Sequence, residues 1–317
     1  MRLVTIEDIR AAAKLIDAAV LRTPLLPCAW SDKERPLWLK PENLQAVGAF
    51  KVRGAQHAVS RLDAAARARG VVAYSSGNHA QAVAYAAQVA GVRATIVIDD
   101  TAPAMKVAAT RAWGAEVVLV PLDVRSQVAT ELAERTGATL IPPFDHPDVV
   151  AGQGTVGLEI AEDLPDVAVV LVPISGGGLA AGIGVAIKEL CPGAAVFGVE
   201  PELAADTRDS LRAGELVRWS ADQRVRTSAD GLRAEPSEFT FAHLRAVLDD
   251  VLTVSEAEIL STVGVLARQS RLVAEPSGAV APAAYLHRAD QLPAGRTVAV
   301  VSGGNIDPAL LSQILAE

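Results

Sequence analysis

Cysteine, methionine and aromatic residues are scarce in this chain: of 317 residues, 2 are Cys, 2 are Met and 4% are Phe, Trp or Tyr. With only Cys28 and Cys191 available, a disulfide framework is excluded, and the pair reads as two buried thiols rather than a metal site. Long apolar runs are missing too. Val167 to Val172 is among the longest, far below the roughly 20 residues a bilayer helix needs, and MRLVTIEDIR is not a secretory signal. There is no basic tract, and 29 Lys and Arg against 37 Asp and Glu leave a formal charge of -8, which argues against a phosphate-backbone partner. These absences predict a cytoplasmic protein that meets a small molecule, not a nucleic acid or a membrane.

What the chain does have is apolar residues, 50% of the total, enough for a large core in one big domain or two ordinary ones. Short β-rich runs (VVAYSS, ATIVID, EVVLV, VAVVLVPI, AVFGVE, TVAVVSGG) alternate with Ala-rich segments of helical periodicity such as HAQAVAYAAQVA. This alternation predicts an α/β fold with parallel sheets, whose strands are buried on both faces and therefore read as nearly continuous Val and Ile. In open parallel sheets ligands bind beyond the carboxyl ends of the strands, so the chemistry is sought in SSGNHAQ, SGGGLAAG, EPELAAD and SGGN. A weak boundary falls at IPPFDHP, residues 141 to 147.

From Pro173 the chain reads PISGGGLAAG, a strand, a glycine run and a helix start. Bare amides at the positive end of a helix dipole form an anion site, which predicts a phosphorylated ligand. A tight turn with close helix packing accounts for one or two of these glycines but not for Ser175, Gly176, Gly177 and Gly178 as a set. Gly176, Gly178 and Ala181 also fit GxGxxA, and Glu200 ends the next strand at the distance a dinucleotide fingerprint requires, so this loop is open to both a nicotinamide and a monophosphate cofactor. A second segment, KPENLQAVGAFKVRGA at 40 to 55, sets Lys51 between Phe50 and Val52. Desolvation lowers a lysine's pKa, and a neutral amine can form a Schiff base, although most lysines beside apolar residues simply extend to solvent.

This lysine segment resembles the cofactor motif of fold-type II pyridoxal-phosphate enzymes, in the group of threonine and serine dehydratases, serine racemase and hydroxyaspartate dehydratase. SSGNHAQA at 75 to 82, TAPAMK at 101 to 106, AGQGT at 151 to 155, SGGGLAAG, GVEP, ADG at 229 to 231, EPSGA at 275 to 279 and SGGN at 302 to 305 follow in the family's order, nearly end to end. The resemblance implies a two-domain, tryptophan synthase β-like fold: a large cofactor domain from 1 to 65 and 148 to 317, and a small mobile domain from 66 to 147. It implies that Lys51 holds pyridoxal 5'-phosphate as a Schiff base and serves as the base at Cα. Phe50 would pack on the ring, and the amides of Ser175, Gly176, Gly177, Gly178 and Leu179 would cradle the phosphate. Asn78 would bond the phenolic oxygen, its other reading being a helix N-cap. Ser302 would meet the pyridine nitrogen, its other reading being a turn cap.

The same resemblance makes Ser75, Ser76, Asn78 and His79 the substrate-carboxylate loop, with no acid-base work assigned to His79. It makes Ser76 an acid-base group on the cofactor face opposite Lys51. Ser76, together with Ala49 before the Phe-Lys pair, leans away from a plain threonine dehydratase. Glu200, Ala204 and Asp206 reproduce the family's divalent-cation spacing, and oxygen ligands suit Mg²⁺, Ca²⁺ or Mn²⁺. The expected activity is β-elimination from threonine, serine or 3-hydroxyaspartate to a 2-oxo acid and ammonia, by a homodimer. Amino-acid racemisation on the same site and a nicotinamide-dependent oxidoreductase are the alternatives.

Overall fold

A computed structural model of the chain describes residues 2–75, 77–102 and 104–316. In chain order the elements are α1 (Ile6–Ile16), β1 (Leu26–Pro27), β2 (Leu37–Pro41), α2 (Lys51–Ser60), α3 (Ala64–Arg69), β3 (Val71–Tyr74), α4 (Asn78–Ala90), β4 (Ala94–Asp99), α5 (Ala104–Ala112), β5 (Glu116–Val120), α6 (Arg125–Thr136) and β6 (Thr139–Leu140). They continue as α7 (Pro147–Asp163), β7 (Val169–Pro173), α8 (Gly178–Leu190), β8 (Ala195–Pro201), α9 (Asp206–Ala213), α10 (Ala221–Arg224), α11 (Glu238–Val247), β9 (Asp250–Val254), α12 (Glu256–Val265), α13 (Pro276–His287), β10 (Thr297–Val301) and α14 (Pro308–Ala316).

The strands form a six-stranded sheet ordered β1-β2-β10-β7-β8-β9 and a four-stranded sheet ordered β5-β4-β3-β6. Every pairing is parallel except the short β1–β2 edge. The β-rich runs read in the sequence correspond to β3, β4, β5, β7, β8 and β10. Central β7 and β10 are buried along their whole length, which is why they carry unbroken Val, Leu and Ala. Four strands escaped that reading. β2 carries Lys40 inside the sheet, β9 begins on exposed Asp250 at an edge, and β1 and β6 are two-residue pairings too short to show a pattern.

Helices close both faces of the large sheet. Apolar residues of α1, α7 and α8 form one core with the inner faces of β7, β8 and β10, and α12 and α13 form a second core on the opposite face. Local signals set the ends: Thr5 with Asp8 and Ser255 with Glu258 form reciprocal capping boxes for α1 and α12, and Pro276 opens α13. The four-stranded sheet lies within residues 71 to 140, inside the expected 66–147 unit. Helix α2 packs on both α4 and α7, and its Val52, Ala55 and Val59 share a core with β3 and β4. This contact explains AGQGT. A Cβ on Gly152 would lie 2.7 Å from the Cα of Gly54 and from the carbonyl oxygen of Arg53, so only glycine lets α7 approach the lysine helix. Among the described residues no helix is long and apolar enough to cross a membrane.

Candidate active site

Lys51 is the first residue of α2 and is held to the far end of the chain through backbone. The amide of Phe50 donates to the Ser302 carbonyl at 3.0 Å, that of Gly304 donates to Gly48 at 2.9 Å, and Ala49 bridges Gly303. The lysine and SGGN loops are therefore one unit. The Lys51 Nζ donates to the Pro143 carbonyl at 2.7 Å and lies 5.0 Å from the Phe50 ring centre. Burial, with no carboxylate to offset it, pulls its pKa down to about 8.

Phe144, next to that carbonyl, reaches the glycine loop. Its ring fills the space a Cβ on Gly176 would occupy, and its Cβ lies 3.0 Å from the corresponding point on Gly178. Gly177 adopts φ +86°, a left-handed conformation that a side chain disfavours. The three missing side chains thus answer to the crossing segment and to backbone conformation, where the sequence reading allowed close packing for only one or two of them. The amides of the loop still call for an acceptor. No amide from Ser175 to Leu179 donates to another described group, although residues 176–179 are buried at the start of α8. Buried donors lacking an acceptor at a helix N-terminus fit a phosphate. Ser175 keeps its hydroxyl occupied by the amide and carbonyl of Ala234 at 3.0 and 3.1 Å.

Asn78 is not an N-cap. Gly77 holds that position without a side-chain bond, and Asn78 opens α4. Its amide points across to the large sheet, where Nδ2 donates to Glu275 Oε1 at 2.6 Å and Oδ1 accepts from Asn305 Nδ2 at 2.7 Å. Ser302 is buried, and its hydroxyl donates to the Ser277 carbonyl at 3.3 Å rather than capping a turn. In the SSGNH loop the Ser75 hydroxyl accepts from the Gly77 amide at 3.2 Å. Ser76 lies outside the described residues. His79 is buried, with Nε2 against the Ile141 carbonyl at 2.9 Å and Nδ1 lacking a partner among the described residues. Burial, reinforced by the nearby Lys51 charge, pushes its pKa down to about 3, so the imidazole is neutral.

Glu200 and Asp206 come together at the end of β8, beside buried Ala204. The two Glu200 oxygens accept the amides of Thr207 and Arg208 at 3.0 and 2.9 Å. Both carboxylate oxygens thus serve the α9 N-terminus, each with acceptor capacity left over. Burial, and then the charge of Asp206, pushes Glu200 up to about 8, while burial pushes Asp206 to about 6; its Oδ2 has no hydrogen-bond partner among the described residues. Paired buried carboxylates short of positive charge fit a hard cation. Among the described residues no three His, Cys, Asp or Glu side chains cluster for a metal, so any ion here would rest on these two carboxylates and backbone oxygen.

Sequence reasoning missed a buried network beneath the lysine helix. Arg53 donates to Glu42 at 2.7 Å and to Glu159 at 2.6 Å, and Lys40 donates to Glu159 at 2.5 Å. Lys40, Glu42 and Arg53 are fully buried. Two cations balance two anions, without which each buried charge would cost several kcal/mol. Its signal in the sequence was the presence of charged residues inside apolar motifs: KPEN, KVRGA and GLE. Also missed were Glu275, Asn305 and the Lys106–Asp230 pair at 2.6 Å, which joins α5 to the ADG turn.

A lysine of lowered proton affinity beside an unpartnered anion cradle is the arrangement a phosphorylated aldehyde cofactor requires, and comparison with known proteins decides its identity. The family described as pyridoxal-phosphate dependent enzyme matches residues 16–303. The chain belongs to that family. The L-threo-3-hydroxyaspartate ammonia-lyase of Saccharomyces cerevisiae is 40% identical over 308 residues, covering 96% of this chain and 94% of the relative. The crystal structure of a T.th. threonine deaminase is 44% identical with TM-score 0.90, covering 96% of this chain and 99% of that one. Maize serine racemase is 35% identical with TM-score 0.94, covering 99% and 98%. The fold-type II pyridoxal-phosphate family and its two-sheet α/β architecture are therefore established for this chain.

Proposed function

We propose that this pyridoxal-phosphate enzyme catalyses β-elimination from a small hydroxyamino acid (threonine, serine or 3-hydroxyaspartate), releasing a 2-oxo acid and ammonia. The observation that carries the reading is the Lys51 amine: poorly charged for a lysine and held by Pro143, whose neighbour Phe144 lies on the acceptor-free amides of the glycine loop. Named relatives acting on threonine and 3-hydroxyaspartate support it. Bound covalently at an amine, pyridoxal phosphate supplies an electron sink that acidifies the substrate Cα–H.

The residues divide the remaining work. The amides of Ser175, Gly176, Gly177, Gly178 and Leu179 would hold the cofactor's phosphate, Phe50 would pack against it, Asn78 would bond its phenolic oxygen, and the neutral Ser302 hydroxyl would serve its pyridine nitrogen. A hydroxyl cannot keep that nitrogen protonated as a carboxylate would, which suits prompt loss of a β-substituent over transamination. Ser75, Ser76, Asn78 and His79 orient the substrate carboxylate at the α4 N-terminus. Lys51 would accept the substrate Cα proton, and the β-hydroxyl would leave as water once protonated. Glu200, Ala204 and Asp206 bind a divalent cation, which neutralises two buried carboxylates. Racemisation is the second reading, favoured by the likeness to maize serine racemase, and would use Ser76 to return a proton from the opposite face.

The experiment that tests the reading assays keto acid and product chirality together on the L and D forms of serine and threonine and the isomers of 3-hydroxyaspartate. Keto acid from at least one of these is expected. Turnover of none, by cofactor-loaded protein, would overturn it.

A further inference from the structure

Glu275 is 4% exposed, at the position before α13, and no cation pairs with it among the described residues. Its amide donates to the Gly303 carbonyl at 3.1 Å, and Oε1 occupies the space a Cβ on Gly303 would take. The carboxyl group is therefore wedged between the loop that carries Ser302 and the side chain of Asn78, and accepts from Asn78 Nδ2 at 2.6 Å. Asn305 supplies the complementary restraint: its Nδ2 donates to Asn78 Oδ1 at 2.7 Å and to the Val47 carbonyl at 2.8 Å. With its oxygen and one amide hydrogen committed, Asn78 keeps one hydrogen to offer.

We propose that Glu275 is a positioning residue for the cofactor: by accepting one hydrogen of the Asn78 amide it fixes which hydrogen faces the cofactor ring, and its charge governs the electronic state of that ring. The inference rests on the cofactor reading of the site and goes beyond it, because Glu275 touches the cofactor only through Asn78. A buried carboxylate whose only side-chain partner among the described residues is an amide loses more solvation than one neutral hydrogen bond returns, so its presence calls for a role other than stability. The charged groups that act on it are Asp230, from the ADG turn, and Lys106, from α5, which are paired with each other. Burial first, and then Asp230, pushes the carboxyl up to about 7, so it changes charge across neutral pH.

The experiment compares wild type, E275Q and E275L as purified holoenzymes, titrating the visible absorbance of bound pyridoxal phosphate from about pH 5.5 to about 8.5, roughly one and a half units either side of the carboxyl's value. Wild type is expected to change its spectrum across neutrality, while E275Q, which keeps an acceptor but cannot ionise, gives a flat profile. E275L loses the acceptor, and its cofactor Kd, measured by titrating cofactor-free protein, rises roughly tenfold, as loss of a hydrogen bond to a charged group predicts. Circular dichroism of the cofactor-free proteins checks the fold, and E275Q, nearly isosteric, decides the matter should E275L not fold. An E275Q profile matching wild type, or a flat wild-type profile, would overturn the inference. A wild type that takes up no cofactor would overturn the site reading, and this inference with it.

Discussion

Lys51 brings together what the sequence displays and what it conceals. Its apolar neighbours and the motif around it are written in the chain, but the Pro143 carbonyl that holds its amine is a backbone atom 92 residues away, and no residue type announces it. The lowered pKa carries a testable consequence. The unfolded lysine keeps its proton up to about 10.5, whereas the folded one loses it near 8. Between those values the unfolded chain binds the extra proton, so cofactor-free protein gains stability as pH rises through the window, and below 8 the burial penalty is present in full. Cofactor uptake needs the neutral amine, so its rate in cofactor-free protein is expected to climb with a midpoint near pH 8, measured by stopped-flow absorbance. Ser76 belongs to this scale as well: S76A is expected to abolish racemisation of serine while sparing keto acid formation, and equal loss of both would refute its assigned role.

Among the elements, helix α2 carries the most. Its first residue bears the proposed chemistry, its third, Arg53, anchors it to the turn after β2 and to α7 through buried carboxylates, and its glycine face admits α7. R53M removes the guanidinium that hydrogen-bonds both Glu42 and Glu159, and is expected to lower stability by about 3–5 kcal/mol, measured by urea unfolding of cofactor-free protein. Six of the ten strands were legible because parallel-sheet burial writes itself as apolar runs. The network was not, because a buried charge and a solvated one are the same letter until tertiary contact pairs them. The glycine loop misled for a related reason: absence of a side chain records close approach without saying whether a ligand or Phe144 approaches.

At the scale of the molecule, two sheets meet across residues that neither completes alone. Asn78 from the small-sheet helix reaches Glu275 and Asn305, and Lys106 reaches Asp230. The motif order in the sequence made this convergence readable in outline, while the pairings themselves depended on three-dimensional placement. The Lys106–Asp230 pair is partly exposed, at 25% and 41%, and contributes little to stability, within about 1 kcal/mol. Its ammonium also lies 4.0 Å from where a Cβ on Gly77 would sit, which supports the proposal that it steadies the SSGNH loop when substrate binds. K106M is therefore expected to raise KM with the melting temperature nearly unchanged; an unaltered KM would remove that role. The most direct test of the whole account is chemical. Holoenzyme reduced with borohydride, digested and mapped by mass spectrometry is expected to carry the phosphopyridoxyl group on Lys51, and K51A is expected to carry none and to be inactive. The group on another lysine, or an active and yellow K51A, would contradict it.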